Sequence, residues 1–429
     1  MRNMLKGKLA SNFFAAILLG ALLAAAGCGS GNTGLGSTTP PPTGTNSNSF
    51  DWGAPFFYGR NVYTSIDGSS AANAPYWAYT QSSIAAAAGN VVAVTVDGGP
   101  FIASQNSVYV NGVFATVTVC VPGTSNCQNI DHVLVDTGSY GLRLLAVAGG
   151  GEFALTLPQQ VGNDSNPINE CTQFVDGFIW GPVLTADIKI SGESASSVPI
   201  QVVGNSTFTA PAGCTAGGGT DESNAAGLGA NGILGIGPFP QDCGSACTSA
   251  NGSTPIEGTY YDCSTSGCVA AFESLAAQVQ NPVTLFAADN NGTILELPGV
   301  SGAAASVNGV LVFGIDTKSN NALGTTPILG INTTGSFPGD FTTNYNGNSL
   351  TGSFIDSGSN ALFFDNSSIS VCADNTSFYC PSGIQLSQSA TQVGANGTTS
   401  VVNFNVNNAD ALINGNPNAT AFNGFAGPN

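Results

Sequence analysis

The chain has 429 residues, with 7 lysines and arginines against 25 acids, one histidine and a net charge of −18. Arg2, Lys6 and Lys8 fall in the first eight residues, which leaves Arg60, Arg143, Lys189 and Lys318 for everything that follows. So acidic a chain repels phosphate backbones, and nucleic acid drops out as a partner. A fold with few ion pairs to break, and a surface that loses self-repulsion as its acids protonate, suits acidic surroundings.

The first 28 residues, MRNMLKGKLASNFFAAILLGALLAAAGC, combine a basic start, an apolar run from Phe13 to Ala26 and small residues before Cys28. This pattern is an export signal, with an apolar part too short for a retained membrane span. Its ending, Ala25-Ala26-Gly27-Cys28, resembles the bacterial lipobox. That implies a lipid on Cys28 and a mature chain anchored to a membrane, on its periplasmic face or the cell surface; an ordinary secretory signal is the alternative. Setting Cys28 aside from the eleven cysteines leaves ten, enough for five disulfides in an oxidising compartment. The close pairs 120/127, 243/247, 263/268 and 372/380, with 171/214 left over, form one plausible set of staples, and spacing alone leaves the connectivity open. Without a Cys-x-x-Cys and with a single histidine, zinc is a poor alternative. No metal or cofactor is expected.

Residues 29–49, GSGNTGLGSTTPPPTGTNSNS, have almost no apolar content and form a flexible tether. From Phe50 onward come the short runs VVAVTV (91–96), VFATVTVCV (113–121), ADIKI (186–190), VPIQVV (198–203) and GVLVFGI (309–315), separated by Gly, Asn and Pro turns. They predict a mostly β protein. A helix is predicted over CVAAFESLAAQVQ (268–280), where Phe272, Leu275, Ala276 and Val279 share one face and Pro282 stops it. The length from residue 50 onward fits one large two-lobed unit or two domains.

VLVDTGSYGLRLL (133–145) has a counterpart in SFIDSGSNALFFD (353–365). Both read apolar, apolar, Asp, Thr or Ser, Gly, Ser, any residue, small, Leu. Two such copies, each behind a strand-forming apolar pair, resemble the pepsin-like aspartic proteases, whose two lobes each supply one such loop. The resemblance implies a bilobal β fold with pseudo-two-fold symmetry, a polypeptide substrate and a monomer. Two carboxyls held close cannot both ionise, so Asp136 and Asp356 would share a proton, one serving as base on a bound water and the other as acid on the scissile carbonyl. By matching positions, Thr137 and Ser357 would brace the loops against each other, and Ser139 and Ser359 would hydrogen-bond the carboxyls. Gly138 and Gly358 would let the backbone approach.

Further stretches follow the same family in order. NGILGIG (231–237) is similar to the apolar-apolar-Gly strand that follows the first aspartate, and residues 272–317 resemble the inter-lobe helix and the strand opening the second lobe. After Asp356, the chain reaches residue 429 before a second apolar-apolar-Gly strand is due. Instead, FDWGAPFFYGRNVYTSIDG (50–68), just after the tether, resembles the family's C-terminal signature in Gly53, Phe56, Phe57, Tyr58, Arg60, Val62, Tyr63, Ile66 and Asp67. The expectation is a circular permutation: residues 50–80 belong to the second lobe, 81–240 form the first and 241–429 the rest of the second. A coincidental aromatic strand is the alternative.

The family's flap tyrosine and its tryptophan partner are missing. QFVDGFIWG (173–181) offers Phe174, Phe178 and Trp180 as a candidate flap, and Arg143 stands where the tryptophan would. Either aromatic side chains alone close over substrate, or the chain is an inactive lipoprotein of this fold that binds polypeptide or glycan. A serine-hydrolase triad of His132, Ser139 and Asp136 has poor geometry, since adjacent strand residues face opposite ways. DNNG (289–292) hints at calcium but lacks the alternating ligand spacing, and is better read as a turn.

Overall fold

The structure is a computed structural model that describes residues 48–68, 74–100, 109–148, 151–162, 164–174, 177–204, 207–216, 219–249, 254–333, 338–373 and 375–429. The export signal, Cys28 and the tether up to residue 47 lie outside them. Each predicted run lies in a strand or overruns its end by one or two residues: Val91–Asp97, Gly112–Cys120, Gly177–Ile190, Glu193–Val203 and Val307–Phe313. In Val307–Phe313, Val307, Gly309 and Leu311 are buried while Asn308 and Val310 are less so, the alternation a half-covered strand requires.

Two sheets carry the fold. One of sixteen strands has at its centre Cys127–Asp136, Gly112–Cys120, Val91–Asp97, Val307–Phe313, Gly292–Leu297, Arg60–Ser65 and Tyr76–Gln81, side by side in that order. The other, of seven strands, contains Asn348–Ile355, Asp51–Trp52 and Leu362–Phe363 as neighbours.

Each sheet holds the same three-strand unit at its aspartate. In the first lobe Gly232–Ile236 lies between Cys127–Asp136, parallel, and Tyr140–Leu145, antiparallel, with Leu234 opposite Val135 and Gly235 opposite Asp136. In the second lobe Asp51–Trp52 lies between Asn348–Ile355, parallel, and Leu362–Phe363, antiparallel, with Trp52 opposite Ile355. Trp52 therefore corresponds to Leu234, Gly53 to Gly235, and Asp51 to Ile233. Both glycines are sterically required: a Cβ on Gly235 would sit 2.6 Å from the Tyr140 nitrogen, and one on Gly53 2.0 Å from the Ala361 oxygen.

Residues 50–66 are built into the core. Phe50 stacks on Trp52 at 4.1 Å and on Phe364 at 4.6 Å, and the edges of Tyr345 and Phe404 close on the same ring. Arg60–Ser65 pairs with Gly292–Leu297 in the central sheet. Five disulfides join Cys120 to Cys127, Cys171 to Cys214, Cys243 to Cys247, Cys263 to Cys268 and Cys372 to Cys380.

Two expectations need correction. The helix over 268–280 does not form. Cys268 is tied to Cys263 in the hairpin of Tyr260–Ser264 and Gly267–Ala270, and the Glu273 amide donates to the Cys247 carbonyl. Glu273 and Gln278 are buried while Leu275 is 43% exposed, so only Val279 of the expected stripe is fully buried. The boundary at 240/241 also moves, because Tyr260–Ser264 pairs with Ile168–Gln173 of the first lobe.

Deleting residues 48–81 should abolish cooperative folding. The segment takes Phe50, Trp52, Phe56, Phe57, Val62, Ile66 and Trp77 out of the core, all at most 2% exposed. At roughly 1.5–3 kcal/mol each, that loss rivals the whole net stability of a typical domain, about 5–15 kcal/mol. A truncated chain that still melts in one sharp calorimetric transition near the full-length Tm would contradict this.

Candidate active site

Asp136 ends a ten-residue strand and Asp356 follows directly on another, so both carboxyls project where the two three-strand units meet. The loops are fastened by four reciprocal hydrogen bonds. Thr137 N donates to Ser357 Oγ at 3.1 Å and Ser357 N to Thr137 Oγ1 at 2.9 Å. Thr137 Oγ1 donates to the Ile355 carbonyl at 3.0 Å, and Ser357 Oγ to the Val135 carbonyl at 2.6 Å.

Each carboxyl is held in the same way. Gly138 N donates to Asp136 Oδ1 and Gly358 N to Asp356 Oδ1, both at 2.8 Å, while Ser139 Oγ donates to Asp136 Oδ2 and Ser359 Oγ to Asp356 Oδ2, the latter at 2.7 Å. A Cβ on Gly138 would lie 2.7 Å from the Asp356 carboxyl, and one on Gly358 2.7 Å from Asp136 Oδ1. Only glycine lets each loop come this close to the opposite acid.

The two acids differ electrostatically. Burial pushes both upward, and both are fully enclosed. A hydrogen bond from Asp356, the Ser139 and Gly138 donors and the Arg143 charge hold Asp136 back, whereas the charges of Asp136 and Asp51 drive Asp356 well above the usual carboxylate range. Of the two, Asp356 is held further toward its neutral form.

Beneath Asp136 lies an ionic cluster that the sequence did not announce. Arg143, 2% exposed, donates through Nη2 to Glu170 Oε1 at 2.6 Å and Asp242 Oδ2 at 3.1 Å, and through Nε to Thr172 Oγ1 at 2.9 Å. Tyr260 OH donates to Asp242 Oδ1 at 2.6 Å. Burial raises Glu170, but the Arg143 charge overcomes it and keeps Glu170 ionised, while burial and the Glu170 charge drive Asp242 well upward. One buried cation is thus balanced by one anion, with the second carboxyl neutral.

The candidate flap is corrected. Trp180 packs edge-on to Tyr261 at 5.6 Å and donates from Nε1 to the Phe208 carbonyl, and Phe178 shares its cluster with the Cys171–Cys214 disulfide. Phe174 packs against the core around Leu134, Ile179 and Ile233. Tyr260–Ser264 extends the same sheet along Ile168–Gln173, and these rings fill cores; residues 175–176 at the hairpin's turn lie outside the described residues. What ties this hairpin down is Arg143, through Glu170 and Thr172.

His132 pairs with Asp97 at 3.4 Å, and the Ser139 hydroxyl is committed to Asp136. Asp289 of DNNG is engaged by Lys318 and Thr317. Sequence reading also missed Asp51, a fully buried acid in a strand of aromatic neighbours. A polar residue immediately before Trp-Gly in an apolar strand was the available signal.

The paired loops, mirrored three-strand units and shared buried dyad form the mostly β, bilobal, pepsin-like architecture that the motifs implied. The chain belongs to the family described as "Protein of unknown function (DUF3443)", whose model matches residues 35–79 and 86–429. No curated protein matches it. Among solved structures it is similar to an aspartic proteinase from Irpex lacteus, with 15% identity, 77% of this chain and 83% of that chain covered, and a TM-score of 0.39.

Burial also raises acids other than the dyad: Asp340 and Glu273 to about 8, Glu296 to about 7 and Asp262 to about 6. These values exceed those of an unfolded chain, about 4. The neutral forms therefore stabilise the fold fully below that value, and the contribution is lost as pH rises through about 6 to 8. The Tm should be higher near pH 5 than near pH 8 by about 5 °C or more, and Asp340→Asn should flatten that slope. A Tm that rises toward pH 8 would contradict the assignment.

Proposed function

We propose that this protein is an aspartic endopeptidase of exported polypeptides, anchored by lipid on Cys28. The observation that carries the reading is the dyad: two buried carboxyls in loops braced across the lobes, each with the same pair of local donors. Asp136, ionised, takes a proton from a water between the acids as that water attacks the scissile carbonyl carbon. Asp356 gives its proton to the carbonyl oxygen, forming a neutral gem-diol. Asp136 then passes the acquired proton to the amide nitrogen, the C–N bond breaks, and a diol hydroxyl returns a proton to Asp356, leaving a carboxylic acid and an amine.

The same reading makes residues 50–80 the end of the second lobe moved to the front, a circular permutation. The equivalence of Trp52 and Gly53 with Leu234 and Gly235 supports it. Joining and recutting a chain is tolerated where its ends lie at the surface and near each other, and Asn429 Nδ2 donates to Ser49 Oγ at 2.7 Å.

One observation favours a second reading, an inactive protein of this fold that binds polypeptide or glycan. Arg143 with its acids stands where the resemblance would put the tryptophan that partners the flap tyrosine, and the candidate flap rings are packed in cores.

The test is incubation of the ectodomain with unfolded protein from acidic to neutral pH, beside Asp136→Asn and Asp356→Asn. Each substitution should reduce cleavage by about 10²–10⁴-fold, and a statine-type peptide should block the wild type. A folded wild type that cleaves nothing but still binds the statine peptide would favour the second reading.

Anchoring has its own check. The ten other cysteines pair among themselves, leaving Cys28 as the odd one. Cys28→Ser should abolish incorporation of labelled fatty acid and release the protein from the membrane fraction; unchanged labelling would refute the anchor.

A further inference from the structure

A cavity of about 180 Å³ opens between the segment that follows Asp51 and the strand Thr399–Asn407, with Trp52, Phe56, Tyr58, Arg60, Asn403 and Asn405 among its lining residues. None of the residues of the two aspartate loops lines it.

One wall is Arg60. In a chain of net charge −18, its guanidinium takes part in none of the described ion pairs. Its Cζ lies 4.6 Å from the centroid of the Phe56 ring, and Nη1 donates to the Phe56 carbonyl at 2.5 Å. Phe56 is held edge-on against Trp52 at 5.4 Å and Tyr79 at 5.1 Å, which fixes the ring the guanidinium rests on. The bond to Phe56 is the one Arg60 makes among the described residues. It leaves the Nε–Nη2 edge, the fork that matches a carboxylate, without a partner. Burial pulls Arg60 down from its usual value, with Tyr79 opposing. An enclosed cation without a counter-charge is costly, and a bound anion removes that cost.

The facing wall is an open strand edge. Thr399–Asn407 is the outermost strand of the seven-stranded sheet and pairs there only with Gln385–Val393. Gly394 N donates to the Thr398 carbonyl at 2.8 Å, so the alternation of the antiparallel ladder turns residues 400, 402, 404 and 406 toward the partner strand. Asn403 and Asn405 therefore point their N–H and C=O groups outward. Asn407 shows the same phase, its amide donating outward to the Gly424 carbonyl at 2.8 Å. The amides of Asn403 and Asn405 have no such partner among the described residues. At roughly 30 Å³ per water, the cavity holds the volume of some six waters, room for one small residue.

We propose that this cavity binds the carboxyl-terminal residue of a peptide, its carboxylate on the Arg60 fork and its amide against the outward backbone groups of Asn403. A bare anion satisfies the arginine alone, and a neutral peptide satisfies only the strand edge; a peptide terminus satisfies both. The site stands whether or not the dyad cleaves peptides.

The test titrates full-length protein with N-acetylglycine, read by isothermal calorimetry and by amide hydrogen exchange over residues 400–407. Two comparators go beside it: N-acetylglycinamide, which lacks the charge, and acetate, which lacks the amide. N-acetylglycine should bind saturably and slow exchange in that strand, and each comparator should bind about tenfold more weakly or worse. Arg60→Met should weaken N-acetylglycine at least about tenfold, and Arg60→Lys, which keeps the charge and loses the fork, should weaken it less.

No saturable binding of N-acetylglycine would overturn the assignment. Equally tight binding of N-acetylglycinamide or acetate would do so too, as would unchanged exchange over 400–407 in the saturated protein. The same holds for an Arg60→Met variant that melts as the wild type does and binds N-acetylglycine as well. If Arg60→Met does not fold, the ligand comparison and the exchange measurement on wild type carry the decision.

Discussion

Thr137 and Ser357 each reach across the lobe boundary, trading backbone amide for side-chain oxygen and side-chain hydroxyl for the carbonyl of the strand behind. These bonds are fully buried, where leaving a donor or acceptor unmade costs far more than a made bond contributes. The two loops therefore keep one relative position or lose several partners together. The rest of the site depends on that constraint: the approach of Gly138 to Asp356, the approach of Gly358 to Asp136, and the nearness of two acids that could not persist if either loop relaxed.

The symmetry of the backbone is broken by its charges. Each aspartate has the same two local donors, yet Arg143 bears on one and Asp51 on the other. A buried arginine is tolerable because Glu170 neutralises it and Thr172 and the Tyr140 carbonyl take its remaining donors. Removing one member of such a cluster leaves an uncompensated charge, so the cluster also fixes the hairpin that carries Glu170 and Thr172. Electrostatic asymmetry and mechanical anchoring come from the same guanidinium.

What the sequence made legible was local. The two Asp-Thr/Ser-Gly-Ser loops could be read because each motif is contiguous and each sits behind its own apolar pair. The strands were legible for the same reason. The helix over 268–280 was misread because its fate is settled at a distance: Cys263 holds Cys268 extended, and Cys247 takes the Glu273 amide. Phe174, Phe178 and Trp180 looked like cleft residues because an aromatic cluster near a loop suits either a lid or a core, and only packing partners distant in sequence, such as Tyr261 and Phe208, decide which. Asp51 could not be interpreted at all, since Phe354, Asp356, Ser359 and Phe363 lie some 300 positions away, like the 303 separating Phe50 from Ser353.

That separation bears on how the site comes into being. Asp51–Trp52 is among the first strands of the described chain, and its partners on both sides are among the last. Contacts so remote in sequence form only after the loop-closure entropy has been met, which makes them slow and late. The first lobe, whose aspartate, return strand and Gly232–Ile236 strand lie within one stretch of chain, can reach its geometry sooner. The sheet beside Asp356 is complete only with the beginning of the chain docked between its two neighbouring strands. Because the docking strand carries both Gly53, which the loop after Asp356 requires for close approach, and Asp51, the step that completes the core of the second lobe also completes the surroundings of its carboxyl. The position of this strand near the front of the described chain couples completion of the second lobe's sheet to the surroundings of the dyad.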